Sequence, residues 1–292
     1  MFIFCIHRDR NDVLCVFLQL PTINNMSITT TQLYHCTNHS ALCEILKSKQ
    51  FNPSFCLEEL SIYPHNSMKM AYAVVCFADL LKQELKEHMH NFHSDSYIIM
   101  DKKWAKFHDV SPVIYYTTPS FMSVIMKNII EYATRINRNK SDDELKFFNS
   151  VNLFIGFLKQ YEGRYLIKSR NIYSDVTQFY KEREWRYLPM PKNYEANYID
   201  EEDYNNEKRR KEKTQELIAH GYALKFDLGD IIEIGIPKSA KKVFIETIKR
   251  SFNKQDQKVI LQKVRYLTKR KGGTVLLIQF LRYVYNVLHK VS

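Results

Sequence analysis

The sequence predicts a mixed α+β fold, and three observations point to it. Residues 71–77 are a near-continuous apolar run that reads as a buried strand. Residues 39–49 carry Leu42, Ile45 and Leu46 at helical spacing, with Asn38 placed to cap the helix start. Strand-like and helix-like segments then interleave along the chain without an internal repeat. The 292 residues are 45% hydrophobic with only seven glycines and eight prolines, enough for a core and too few for a loop-rich or low-complexity protein.

Taken in order, residues 31–37 read as the first strand, followed by helix 39–49, and Asn52-Pro53-Ser54 ends that unit. After strand 71–77 comes a helix expected to turn Leu81, Leu85, Met89 and Phe92 inward. Strands 97–100 and 113–116 follow, separated by a turn around Trp104. Residues 120–160 have helical spacing, broken by the polar stretch 135–143. Residues 161–170 and 184–188 read as strands, while 193–214 run from acidic to basic as a solvated insertion or helix. Residues 222–226 and 231–236 are expected to close the domain as a strand pair around Asp227-Leu228-Gly229-Asp230. Two helices complete the reading, joined by the basic Lys269-Arg270-Lys271-Gly272-Gly273. Residues 274–289 are apolar but hold Gln279, Arg282 and Asn286, the pattern of a packed segment and not of a bilayer span. The expected division is an N-terminal extension (1–25, with Met26 a candidate start), an α+β domain (26–236) and a basic helical tail (237–292).

All six cysteines fall within the first 76 residues and none forms a C-x-x-C pair, so zinc and redox motifs are missing and reduced cytosolic thiols are expected. Residues 1–21 are interrupted by charged and polar side chains from His7 to Asp12, unlike a signal peptide or a membrane span. The net charge of +11 is uneven: residues 237–292 hold 14 Lys and Arg against Glu246 and Asp256, and the remainder holds 29 bases and 30 acids. Such a tail attracts polyanions, nucleic acid first among them, with Lys269, Arg270 and Lys271 the candidate contacts. A solvated basic helix pair is the plainer alternative. His88, His90 and His93 do not share a helix face, and Asp142-Asp143-Glu144 has no partner cluster, so no metal is expected.

Two segments suggest chemistry. His35 ends a short apolar run directly before a helix start, and Glu184 lies in a strand rich in aromatics, where an unpaired carboxylate is costly. A carboxylate beside an oxocarbenium-like ribose, with a histidine on the sugar hydroxyls and an aromatic ring on nicotinamide, is the arrangement that breaks a nicotinamide–ribose bond. Each residue also has a structural reading. His35 can be hydrogen-bonded to backbone, Glu184 can pair with Arg183 or Arg186, Asp79 can cap a helix, and Trp104 and Trp185 can be core anchors.

Several motifs together resemble the AbiGi-type abortive phage resistance proteins. They are Tyr34-His35-Cys36-Thr37 with helix 41–46, Val74-Val75-Cys76-Phe77-Ala78-Asp79, Lys103-Trp104, Ser111-Pro112-Val113-Ile114-Tyr115, Tyr161-Glu162-Gly163 and Glu182-Arg183-Glu184-Trp185-Arg186. The similarity spans about residues 31–236 and implies a bacterial antiphage role as an antitoxin component. The Tyr-His-x-Thr opening and the late glutamate strand also resemble the ADP-ribosyltransferase fold, including toxins that modify nucleic acid. That second resemblance implies a split mixed sheet with flanking helices and NAD as substrate. It also implies Tyr34, His35, Thr37 and Phe77 as the NAD-binding set and Glu184 as the catalytic residue. The serine-threonine-serine run of one transferase branch is missing near Phe77, and Tyr63, Tyr72 and Tyr97 all remain open as the central tyrosine. The expectation is therefore an NAD-dependent ADP-ribosyltransferase-like toxin acting on RNA in preference to DNA, with a cognate antitoxin or partner protein encoded nearby. The alternative is a non-catalytic antitoxin or interaction module that binds a toxin or RNA, favoured if Glu184 is locked to Arg186.

Overall fold

In the computed structural model, residues 30–60, 68–136, 141–164, 175–190 and 197–268 are described, with the backbone of two further strand pairs. The first of those pairs, β1 (Phe4–Arg8) and β2 (Asp12–Val16), is an antiparallel ladder within the expected N-terminal extension. The main body begins with β3 (Gln32–Thr37) and α1 (His39–Ser48). Asn38 caps α1 as its side chain predicts, accepting from the Ala41 N–H at 2.8 Å, and Leu42 and Leu46 are fully buried. Next come β4 (Gln50–Phe51), β5 (Ser54–Leu60) and β6 (Met68–Ala78), the long strand announced by the apolar run.

Then follow α2 (Leu85–Asn91), β7 (Ser96–Asp101) and α3 (Lys102–Phe107). Leu85 is buried, but Phe92 lies beyond α2 and is half exposed against His88. The expected turn around Trp104 is instead α3, six residues long and capped by Asp101. Strands β8 (Ser111–Pro112) and β9 (Ile114–Tyr116) precede α4 (Phe121–Ile136) and α5 (Asp142–Gly156). Ser141 and Glu144 form a capping box at the start of α5, so the acidic triplet there serves the helix end. Short β10 (Leu158–Gln160), β11 (Leu166–Ile167) and β12 (Ile172–Tyr173) lead to β13 (Glu184–Tyr187). β14 (Tyr198–Asp200), α6 (Glu201–Asn205), α7 (Glu207–Ala219), β15 (Leu224–Lys225) and β16 (Ile231–Pro237) follow. The described chain ends with α8 (Lys241–Ser251), α9 (Lys254–Gln262) and β17 (Val264–Leu267). Among the described residues no helix is long and apolar enough to cross a membrane.

Nine of the described strands share one mixed sheet organised around β6. Its last residues lie between β3 and β13, while its first seven pair with β5 on one side and, over three residues, with β14 on the other. The sheet is therefore split, and β6 is the strand common to both halves. Beyond β3 the order continues β7, β16, β17, with only the last contact parallel.

Two readings are corrected here. Residues 222–226 and 231–236 do not pair with each other: β15 pairs with β4, and β16 with β7 and β17. The tail is also not a separate helical piece over its described length. Phe244, Ile248 and Ile260 bury their side chains in the main core, and β17 joins the sheet, so the expected boundary at residue 236 falls inside β16.

Gly235 of β16 opposes Tyr97 of β7, and a Cβ at this position would overlap the Tyr97 ring. Tyr97 is itself fixed by donating to Glu233 at 2.6 Å. Gly235→Ala is expected to lower unfolding stability by about 1–3 kcal/mol through overpacking, read by urea denaturation.

Candidate functional site

The site begins with a turn. Arg183, immediately before β13, has φ 43°, a left-handed backbone that costs a non-glycine residue roughly 1–2 kcal/mol. Its side chain offsets that cost by donating from Nε to the Asp79 carbonyl at 2.6 Å and by pairing with Glu84. This turn fixes the face on which Glu184 emerges. Glu184 opposes Ala78, which also opposes Tyr34, so these three side chains share one face of the sheet. Phe77 opposes Trp185, and His35 packs on Phe77 and Phe51, so these lie on the other face. His35 and Glu184 therefore point to opposite sides.

The Glu184 carboxylate is buried and fully engaged. Arg186, two residues along the same strand face, donates from Nε to Oε1 at 2.6 Å and from Nη2 to Oε2 at 3.1 Å. Lys159 of β10 donates to Oε2 at 2.5 Å and also reaches Glu182 at 3.1 Å. Arg186 is 1% exposed, pairs with Glu58 of β5, and donates from Nη1 to the Gly156 carbonyl at 2.8 Å. The Glu184 N–H donates to the Tyr115 hydroxyl at 2.9 Å. Five charged side chains from three segments of the chain, β5, β10 and residues 182–186, thus form one relay, in which Glu184 and Arg186 are buried and Glu58, Lys159 and Glu182 are part-buried.

The electrostatics follow from this arrangement. Burial opposes ionisation of Glu184, but the Arg186 guanidinium and the Lys159 ammonium outweigh it and hold the carboxyl well below the usual carboxylate range. Burial likewise works against the Lys159 charge, and Glu184 and Glu182 override it, raising its pKa. Glu182 absorbs the excess of acids over bases: burial, only partly countered by Lys159, raises its pKa. This is a paired, saturated carboxylate, with both oxygens already accepting from cations. It is a poor candidate for a general acid or base, whose pKa is best placed near the working pH.

The expected NAD-binding set does not assemble. His35 sits with Nδ1 2.9 Å from the Cys76 carbonyl, to which it donates, and burial lowers its pKa. Phe77 is 2% exposed within the core, in ring contact with Phe51 and Trp104. Tyr34 is buried edge-on to Tyr97 on the opposite face, and Thr37 ends β3 opposite Ser96. A cavity of about 730 Å³ touches Glu184, bordered also by Thr30, Asp79, Lys102, Tyr115, Tyr180 and Trp185. None of the four expected NAD contacts borders it, so these residues do not fit the dinucleotide as one group. Asp79 is no helix cap: it accepts from the Thr30 N–H at 3.1 Å and from Lys102 at 2.6 Å. Lys269, Arg270 and Lys271 lie outside the described residues.

Sequence reasoning missed Lys159 and Glu58, and named Glu182 only within the family motif, without a role. The available signal was a lone lysine closing the apolar run Ile155-Gly156-Phe157-Leu158 and a glutamate inside strand β5, both positions where an unpaired charge is costly.

The profile of the family described as "Putative abortive phage resistance protein AbiGi, antitoxin" matches residues 49–237, well over half the chain. The chain belongs to the AbiGi family. Among curated proteins and among solved structures, nothing matches it. The toxin and enzyme expectation is thereby corrected. The AbiGi family is described as an antitoxin, and the residue assigned to catalysis is the centre of a buried ion relay facing away from His35.

Two outcomes follow. Lys159→Met leaves Glu184 and Glu182 with a missing buried partner and is expected to cost about 3–5 kcal/mol in urea unfolding. The pKa of His88, part-buried near Lys159, is lowered by burial and then by that charge to about 4. The unfolded chain binds its proton below about 6.5 and the folded chain only near 4, so stability is present above that window and lost as pH falls through it. His88→Gln should flatten the unfolding profile between pH 6.5 and 4.

Proposed function

We propose that this AbiGi protein is the non-catalytic antitoxin of an abortive infection system, neutralising a toxin protein by direct binding in the cytoplasm. The observation that carries the reading is the locked Glu184: a carboxylate saturated by Arg186 and Lys159 serves to position strands, not to stabilise a reacting sugar. On this reading the split sheet is an ADP-ribosyltransferase-like scaffold put to structural use, an ancestry resting on the Tyr-His-x-Thr and glutamate-strand resemblance.

A protein partner is further supported by the outer face of α4. Phe121, Ile125 and Tyr132 recur at i, i+4 and i+11 with 90%, 53% and 50% exposure, flanked by exposed Met122 and Val124. Tyr132 meets Phe147 of α5 edge-on, extending the apolar surface across the helix pair. Aromatic and methionine side chains gathered in an exposed patch are the composition of protein interfaces.

The test is expression of the gene encoded beside this one, alone and together with it. The neighbour alone should arrest growth, this chain alone should be harmless, and the pair should grow and co-purify. Growth arrest by this chain alone would overturn the reading. Ile125→Glu should abolish rescue and co-purification while changing thermal stability by less than about 0.5 kcal/mol, as an exposed substitution does.

A further inference from the structure

A second surface has different chemistry. Lys238 and, on α8 and α9, Lys242, Lys249, Arg250, Lys254 and Lys258 are all exposed, and among the described residues none has an ion-pair or side-chain hydrogen-bond partner. Their neighbours are already committed. Lys263 donates to the carbonyls of Leu228, Gly229 and Ile231, Arg265 lies 3.8 Å from Glu233, and Lys241 sits over the Tyr266 ring. Helix α7 provides the contrast: Lys208, Lys211 and Lys213 each face an acid on their own helix, and Arg209 pairs with Asp203. Of the two acids in the basic segment, Asp256 is taken by Lys49 at 3.0 Å, leaving Glu246 on α8 as the opposing charge.

The geometry points to α8 and α9 as a sequence-independent binding face for the phosphodiester backbone of nucleic acid, a role beyond toxin neutralisation. Unpaired cations held on a rigid platform gain from releasing the counterions of a phosphate chain. Lysine is a point charge suited to phosphates and carries no base readout, so the face is expected to bind without regard to sequence. A protein partner fits less well, because interfaces are depleted in Lys. A lipid surface also fits less well, because an interfacial helix needs its apolar side free, and Phe244, Ile248 and Ile260 are spent on the core.

The test is fluorescence anisotropy of the full chain with labelled mixed-sequence 20-mers: single-stranded RNA, single-stranded DNA and duplex DNA. Binding at 50 mM salt that weakens roughly tenfold or more by 200 mM supports the face, and the tightest arm names the source. The variant Lys242→Glu/Lys249→Glu should lose at least tenfold in affinity and the control Lys208→Glu/Lys211→Glu should not, with both melting like the wild type. Four results would each overturn the assignment. They are absence of binding, an α8 variant that binds like wild type, equal losses in both variants, or tighter binding to phosphatidylserine vesicles than to every oligonucleotide.

Discussion

The hydrogen-bonded contact between Glu184 and Arg186 is what the centre of this molecule is arranged around. Both lie on one face of β13, so they meet without help from any other strand, but neither can be buried alone. Arg186 has donors left over, and Glu58 and the Gly156 carbonyl take them; Glu184 has acceptor capacity left over, and Lys159 takes it. Meeting those demands draws β5, the end of α5 and β10 to β13, from segments scattered between residues 58 and 186. Buried ion pairs gain little over apolar packing of equal volume, yet removing one partner is expensive. Such a relay therefore acts as a registry device: it penalises any arrangement of the split sheet in which one charge loses its mate.

The same relay determines what the site can do. A carboxylate meant to stabilise a developing cation needs an unoccupied face turned to substrate, and here the nearest cations are permanent residents. Glu184 also shares its sheet face with Tyr34 and not with His35, which separates the two residues that would have to work together. Among the described residues, other surfaces lie elsewhere: an apolar, aromatic outer face on α4 and α5, and a lysine face on α8 and α9. The two faces differ in chemistry, one apolar and aromatic, the other cationic.

Much of the fold was legible because local signals were strong. Asn38 before Leu42 and Leu46 marked α1, the apolar run marked β6, and the polar break at 135–143 separated α4 from α5. Trp104 misled because a six-residue helix shows too little periodicity to be told from a turn. The strands at 224–225 and 231–237 were visible, but their partners, β4 and β7, lie far away in sequence, and pairing is a tertiary property. β17 was hidden because basic residues on both sides make Val264-Arg265-Tyr266-Leu267 look like a continuing helix face. At the site, Arg186 was legible as a partner from its i, i+2 spacing on a strand, whereas Lys159 was not. The fatal ambiguity was register: a one-residue difference in pairing moves a side chain to the other face, and no sequence feature ties β3 to β13 through β6.

The most direct measurement is a double-mutant cycle on Glu184 and Arg186, with Glu184→Gln, Arg186→Met and both together followed by urea unfolding. Each single substitution strands a buried charge, so each should cost about 3–5 kcal/mol. The double variant should cost less than their sum by about 2 kcal/mol. Additive effects, with Glu184→Gln as stable as the wild type, would contradict the account, because Glu184 would then be free of the relay and available for other work.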